Sequence, residues 1–163
     1  MGSRAELEQA LEHYTRTVRK ASETGDWTLF GGMFAEDATY NEHAYGRMRG
    51  RDEISAWAVR TMTSFPGNCM SEFPIGWAVF DEDRGWIVCE IRNLMRDPGD
   101  GSDYEASNLT ILHYAGENLF SYEEDVYNPA NFGAMVTEWA ERADRLGTLP
   151  EDARAWLARY AAR

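Results

Sequence analysis

The chain has 163 residues, 44% hydrophobic, 13% aromatic and 27% charged, an ordinary balance for one globular domain with a real core and too aromatic for an intrinsically disordered chain. Sixteen basic residues against 28 acidic ones leave a net charge of −12. A field of that sign repels phosphate backbones and anionic lipid, which argues against nucleic acid and membrane surfaces as partners.

An amphipathic helix comes first. Ser3 and Glu6 have capping-box spacing, Leu7, Leu11, Tyr14, Val18 and Ala21 recur at three- and four-residue steps, and Gly25 stops the run. Asp26 is placed to cap a short second helix carrying Trp27, Phe30, Met33 and Phe34. Ala38 to Asn41 reads as a brief strand. Asp52 is placed to cap a third helix with Ile54, Trp57, Ala58, Met62 and Phe65 inward, ended by Pro66-Gly67.

The period then changes to two. Strand-like runs cover Phe73 to Asp81, Gly85 to Met95, Tyr104 to Tyr114 and Leu119 to Tyr127, and the short turns between them predict an antiparallel meander. Asn128-Pro129 opens a further helix with Met135, Val136, Trp139, Ala143 and Leu146 on its apolar stripe, closed by Gly147. A last helix opens at Thr148-Leu149-Pro150-Glu151 and carries Trp156, Leu157 and Tyr160. Helices segregated from long strands predict an α+β fold. Long strands coil into a curved sheet, and helices on its concave face make a cone with a pocket at its mouth.

Cys69 and Cys89 form no C-x-x-C pair and read as buried, reduced thiols. No apolar run reaches the ~18 residues of a membrane span, and the first residues carry no signal-peptide core, so a cytoplasmic location is expected. No metal or nucleotide cofactor is expected. The three histidines, His13, His43 and His113, have no i,i+4 spacing, and Gly-x-Gly-x-x-Gly and P-loop motifs are absent.

Three stretches carry a resemblance to a known family. They are Asp26-Trp27-x2-Phe30-x3-Phe34-Ala35-Glu36-Asp37-Ala38, Gly50-Arg51-Asp52-Glu53-Ile54 and Ser121-Tyr122-Glu123-Glu124-Asp125-Val126-Tyr127. In these the chain resembles the nuclear-transport-factor-2-like superfamily and, within it, the SnoaL-like group, which includes polyketide cyclases, ketosteroid isomerases and limonene epoxide hydrolases. The resemblance runs from about residue 7 to 135. It implies one SnoaL-like domain over residues 1–163 with a cystatin-like cone, and a C-terminal helical extension over 136–163. It also implies a homodimer formed through the convex face of the sheet. Because this superfamily mixes enzymes with binding and scaffold proteins, function must be argued from the site.

Asp125 is the first candidate. Period two puts Glu123, Asp125 and Tyr127 on one face of the last strand. If that face lines the cone, Asp125 loses solvent and its pKa rises toward the range of a general acid or base; if it lies outside, the acids are simply solvated. The resemblance to limonene epoxide hydrolases matches Asp125 to a catalytic aspartate. It also matches Tyr40, ten residues before Gly50, to a water-positioning tyrosine, although Glu42 stands where that family has an asparagine. His43 is a candidate proton shuttle. Glu90 and Arg92 alternate on one face of an apolar strand and form a candidate polarising pair or a structural ion pair, with Asn93 on the other face as the fallback. The leading expectation is a cofactor-free enzyme doing acid/base chemistry on a small apolar molecule, by hydrolysis, isomerisation or cyclisation. The alternative is a non-catalytic binding or dimer-scaffold protein of the same fold.

Overall fold

Helix α1 (Arg4–Thr24) starts on the expected capping box. Ser3 N–H donates to Glu6 Oε2 at 2.8 Å, and Glu6 N–H returns to Ser3 Oγ at 3.4 Å. Gly25 ends it in the left-handed region, at φ 74°, where a side chain would be strained. Its buried face is Leu7, Ala10, Tyr14, Val18 and Ala21, while Leu11 is only partly covered. The computed structural model describes residues 2–161, with side chains as far as residue 159.

Helix α2 (Thr28–Gly31) is a single turn whose first N–H donates to Asp26 Oδ1 at 3.1 Å. Strand β1 (Phe34–Glu42) is longer than the brief run expected at 38–41, and a short partner, β2 (Gly46–Arg49), doubles back on it. Helix α3 (Arg51–Met62) departs from expectation at both ends. Gly50, at φ 83°, is its N-cap and Asp52 lies inside the first turn. It stops at Met62, so Phe65 packs elsewhere, against Trp139 and Trp156.

The strand expected over 73–81 is broken. Strands β3 (Met70–Glu72) and β4 (Ile75–Asp81) both pair with β5 (Trp86–Met95), at its far end and along its length respectively. Pro74 lies between them and has no N–H to give a ladder, although its carbonyl still accepts from Arg92 N–H at 3.0 Å. Strands β4, β5, β6 (Glu105–Gly116) and β7 (Leu119–Val126) form the expected antiparallel meander. The chain then departs from a plain meander, because β1 pairs with β7 in parallel, giving the order β2-β1-β7-β6-β5-β3. Register shifts in the β1/β7, β4/β5 and β6/β7 ladders bend the sheet, as bulges do, and it stays open.

Two apolar clusters follow. The larger lies between the concave face and α1–α3, and includes Leu7, Phe30, Ile54, Ile87, Leu112 and Phe120. The smaller seats helix α4 (Pro129–Leu146) and helix α5 (Glu151–Ala161) on Cys69 and Met95. Asn128 caps α4 through its side chain, with Pro129 in the first turn, as expected. Leu146, expected on the stripe, is exposed. Tyr160 falls outside the described side chains.

Trp139 anchors the second cluster. It is 1% exposed and its indole N–H donates to Arg96 O at 2.7 Å. Trp139→Ala is expected to cost about 3–5 kcal/mol, as large-to-small core changes do, measured by urea denaturation.

Candidate active site

The concave face of β7 carries two carboxyls where a core strand ordinarily has aliphatic side chains. The β6/β7 register sets Asp125 opposite Thr110, and the parallel β1/β7 register sets Tyr40 beside Glu123 and Glu42 beside Asp125. Asp125 collects donors from this framework. Thr110 Oγ1 donates to its Oδ1 at 2.5 Å and Asn108 Nδ2 to the same oxygen at 2.9 Å, while Tyr40 OH donates to Oδ2. Asn93 Nδ2 in turn donates to Asn108 Oδ1 at 2.8 Å, which orients that amide. A carboxylate has about four acceptor positions, so three donors leave room for one more.

Glu123 is 1% exposed. Its Oε1 accepts the Tyr14 hydroxyl at 2.8 Å, and its Oε2 is buried with no partner among the described residues. Glu42, 4% exposed, serves structure: Oε2 accepts Ala44 N–H at 2.7 Å and Tyr45 N–H at 2.6 Å, and Oε1 accepts from Tyr127 OH.

Burial sets the electrostatics. It raises the Asp125 carboxyl from an ordinary 3.8 to about 6, against the opposing pull of the Thr110 and Tyr40 hydrogen bonds. Burial and then the neighbouring Asp125 push Glu123 well above the usual carboxylate range. Burial and these two acids also raise the Tyr14 and Tyr40 phenols, which remain protonated donors at neutral pH. The Cys89 thiol is pushed up to about 12 by burial, with lesser help from Glu123 and Asp125, so it is no nucleophile.

Two chambers meet at Asp125. The inner one, about 100 Å³, is lined by Tyr14, Trp27, Phe30, Tyr40, Phe73 and Glu123. The outer one, about 290 Å³, is bounded by Glu42, Tyr45 and Tyr127 and roofed by Phe132, Val136 and Trp156 of α4 and α5. Trp57, Met62, Asn93, Asn108 and Asp125 line both.

Of the residues singled out in the sequence, the fold brings Tyr40 and Asp125 together. It does not bring Glu90, Arg92 or His43 to them. Inward positions on β5 are Ile87, Cys89, Ile91 and Asn93, so strand alternation sends Glu90 and Arg92 to the convex face, and Arg92 pairs with Glu105 at 2.5 Å. The fallback Asn93 is the β5 residue in the chambers. His43 Nε2 lies 2.9 Å from Glu124 Oε1, also on the convex face, beside Asn41 and Tyr122. His113 stacks between Trp86 and Tyr122 there, with centroids 4.3 and 4.5 Å away.

Sequence reasoning does not single out Glu123, Asn108, Thr110 or Tyr14. A signal existed for the first three. Glu123 shares its face with Asp125, and Asn108 and Thr110 alternate with Leu112, putting polar groups on the inward face of a core strand. Tyr14 reads as one more apolar-stripe residue, and nothing local marks its hydroxyl.

Residues 2–125 match a family model described as a SnoaL-like domain. Every residue lining the inner chamber falls inside that span, whereas the roof of the outer chamber lies beyond it. No curated protein matches the chain by sequence. Among solved structures, the chain is similar to a hypothetical protein with a ketosteroid isomerase-like fold from Catenulispora acidiphila, in complex with trimethylamine. That match has 24% identity, a TM-score of 0.59, and covers 74% of this chain and 88% of that one. It is also similar to an LEH-like epoxide hydrolase from M. tuberculosis, with 10% identity, TM-score 0.64 and coverage of 92% and 98%. A third is a protein of unknown function with a cystatin-like fold from Methylobium petroleophilum, with 15% identity, TM-score 0.56 and coverage of 77% and 78%. At these identities the structural matches establish the cystatin-like, ketosteroid isomerase-like fold.

The raised carboxyl has a stability consequence. Well below its ordinary 3.8, Asp125 is protonated in folded and unfolded chains alike and costs nothing. As pH rises through about 6 the unfolded chain releases its proton first, so folded stability falls by up to roughly 3 kcal/mol. Glu123 acts in the same sense. Asp125→Asn is expected to flatten the decline of the urea midpoint between about pH 4 and 7.

Proposed function

The chain belongs to the SnoaL-like domain family, and from that premise we propose that it is an enzyme doing acid/base chemistry on a small, largely apolar molecule held where the two chambers meet. The observation that carries this reading is Asp125, a buried carboxyl at about 6 that lines both chambers. Such a group is ionised at neutral pH and still basic enough to take a proton from a water or an activated C–H. Tyr40, Thr110 and Asn108 hold it in one orientation, and Tyr40 OH disperses its charge. Three reactions fit: hydration of an epoxide, movement of a double bond beside a carbonyl, or ring closure. In hydration, Asp125 takes a proton from water as the oxygen attacks carbon, the C–O bond of the epoxide breaks, and the proton then passes from Asp125 to the alkoxide, which restores the carboxylate. The LEH-like epoxide hydrolase among the structural neighbours supports placing hydration first. The trimethylamine in the Catenulispora acidiphila protein supports a small-molecule occupant for a pocket of this fold, and binding without turnover is the second reading.

A second copy of the chain is the partner we propose for the convex face. Trp77, Val79, Trp86, Leu109 and Val126 stand exposed there on four neighbouring strands, Val79 at 56%. Burying such a patch is the driving force of a homodimer. Light scattering is expected to give twice the chain mass, and Val79→Asp to give the monomer with its fold intact; a monomeric wild type at micromolar concentration removes the proposal.

Activity tests the chemistry. On a panel of small apolar epoxides and unsaturated ketones, Asp125→Asn is expected to lower kcat by about 100-fold or more, and Tyr40→Phe by less. The wild-type kcat/KM should rise with pH through about 6 and then level off, and the variant should lose that limb. A folded Asp125→Asn enzyme with undiminished turnover sinks the assignment.

A further inference from the structure

The inner chamber holds a feature that Asp125 does not explain. Glu123 Oε2 is fully buried, has no partner among the described residues, and belongs to a side chain lining the cavity. A buried carboxyl oxygen left alone is costly, and natural proteins rarely tolerate one without a water, an ion or a ligand to meet it. Six aromatic residues stand in the wall around it. Tyr14 meets Phe30 edge-on at 6.1 Å, Phe30 lies 6.2 Å from Tyr40 and 6.3 Å from Trp57, and Trp27 meets Phe73 edge-on at 5.9 Å. Aromatic faces are electron-rich and attract cations, most strongly where water is excluded. No Arg, Lys or His is among the described residues lining either chamber, and the chain as a whole carries −12. Such walls reject anions and draw in cations.

From these walls we infer that the inner chamber binds a small alkylammonium ion, its alkyl groups against the rings and its N–H donated to Glu123 Oε2. A chamber of about 100 Å³ limits the occupant to a head group of a few heavy atoms. The groups facing Glu123 are the Tyr14 and Tyr40 phenols, the Cys89 thiol and the Asp125 carboxyl, none of them cationic. An arriving cation therefore meets no like charge. It favours the ionised form of Glu123, whose proton leaves to solvent. Trp57 Nε1, also buried without a partner among the described residues, is a donor and takes a water or an oxygen on the same ligand. The inference shares its cavity with the function proposed above but rests on Glu123 and the rings, not on Asp125 as a base, so binding and turnover fail separately.

Calorimetric titration of the full chain tests it with trimethylammonium chloride, tetramethylammonium chloride and tert-butanol, a neutral molecule of nearly the same shape. Trimethylammonium is expected to bind at least about tenfold more tightly than tert-butanol. Tetramethylammonium, which has no N–H, should bind more weakly than trimethylammonium. Glu123→Gln should weaken trimethylammonium about tenfold or more while leaving tert-butanol within about twofold. Trp27→Leu removes one ring without touching a carboxyl, and should also weaken the cation selectively. Equal affinity for the cation and the alcohol, or no saturable binding of the cation, overturns the inference whatever the enzyme assays return. So does undiminished cation binding in folded Glu123→Gln or in Trp27→Leu.

Discussion

The parallel pairing of β1 with β7 is the constraint on which the site depends. Antiparallel hairpins alone would leave β7 as an edge strand with its carboxyls at the rim of the sheet. By laying β1 alongside, the chain brings Tyr40 next to Glu123 and Glu42 next to Asp125, and turns an edge into the middle of a curved wall. The Tyr40–Asp125 hydrogen bond crosses that seam. It joins two strands far apart in sequence and supplies one of the three donors that make a buried carboxylate tolerable. Helices α1 to α3 then cover the same wall, which removes the solvent that would otherwise hold the acids at their ordinary values.

Burial of these acids is an unfavourable element that the rest of the fold has to carry. Asp125 is compensated by hydrogen bonds from β1 and β6, and Glu123 by a single phenol from α1. The difference is visible in their acidity. Asp125 stays within reach of neutral pH, while Glu123, with fewer donors and a like-charged neighbour, is driven well above its usual range. Exposed acids behave in the opposite way. Asp100, hydrogen-bonded by Ser102 and Arg142, is held down to about 2. The folded chain therefore loses stability both when its surface carboxylates are protonated and when its buried ones ionise, and mildly acidic conditions suit it best.

The two faces of the sheet divide the remaining labour. The concave face supplies the chambers. The convex face carries the paired charges Arg92–Glu105, the His43–Glu124 contact, the Trp86–His113–Tyr122 stack and a run of exposed apolar side chains. Helices α4 and α5 lie beyond the span of the family match and roof only the outer chamber. The described residues lining the inner chamber all fall within the family match.

Much of this was legible in the residues. The capping box at Ser3, the stop at Gly25, the period-two runs and the Asn128-Pro129 start are local signals, and local signals act through backbone geometry and hydrogen bonds that need no distant partner. The same holds for the shared face of Glu123 and Asp125, because alternation along a strand is a property of the strand itself. What that face looks onto is not. Whether it met water or a chamber, and whether Glu90 and Arg92 stood inside or outside, depended on which side of the sheet the helices covered. Asn93, one position away, went in because alternation gave it the covered side. The donors of Asp125 come from β1 and β6, and the single donor of Glu123 from α1. A carboxyl's environment is set by groups brought near it through space. Sequence determined the elements and the faces of each strand; only the tertiary arrangement decided which carboxyls lost their water.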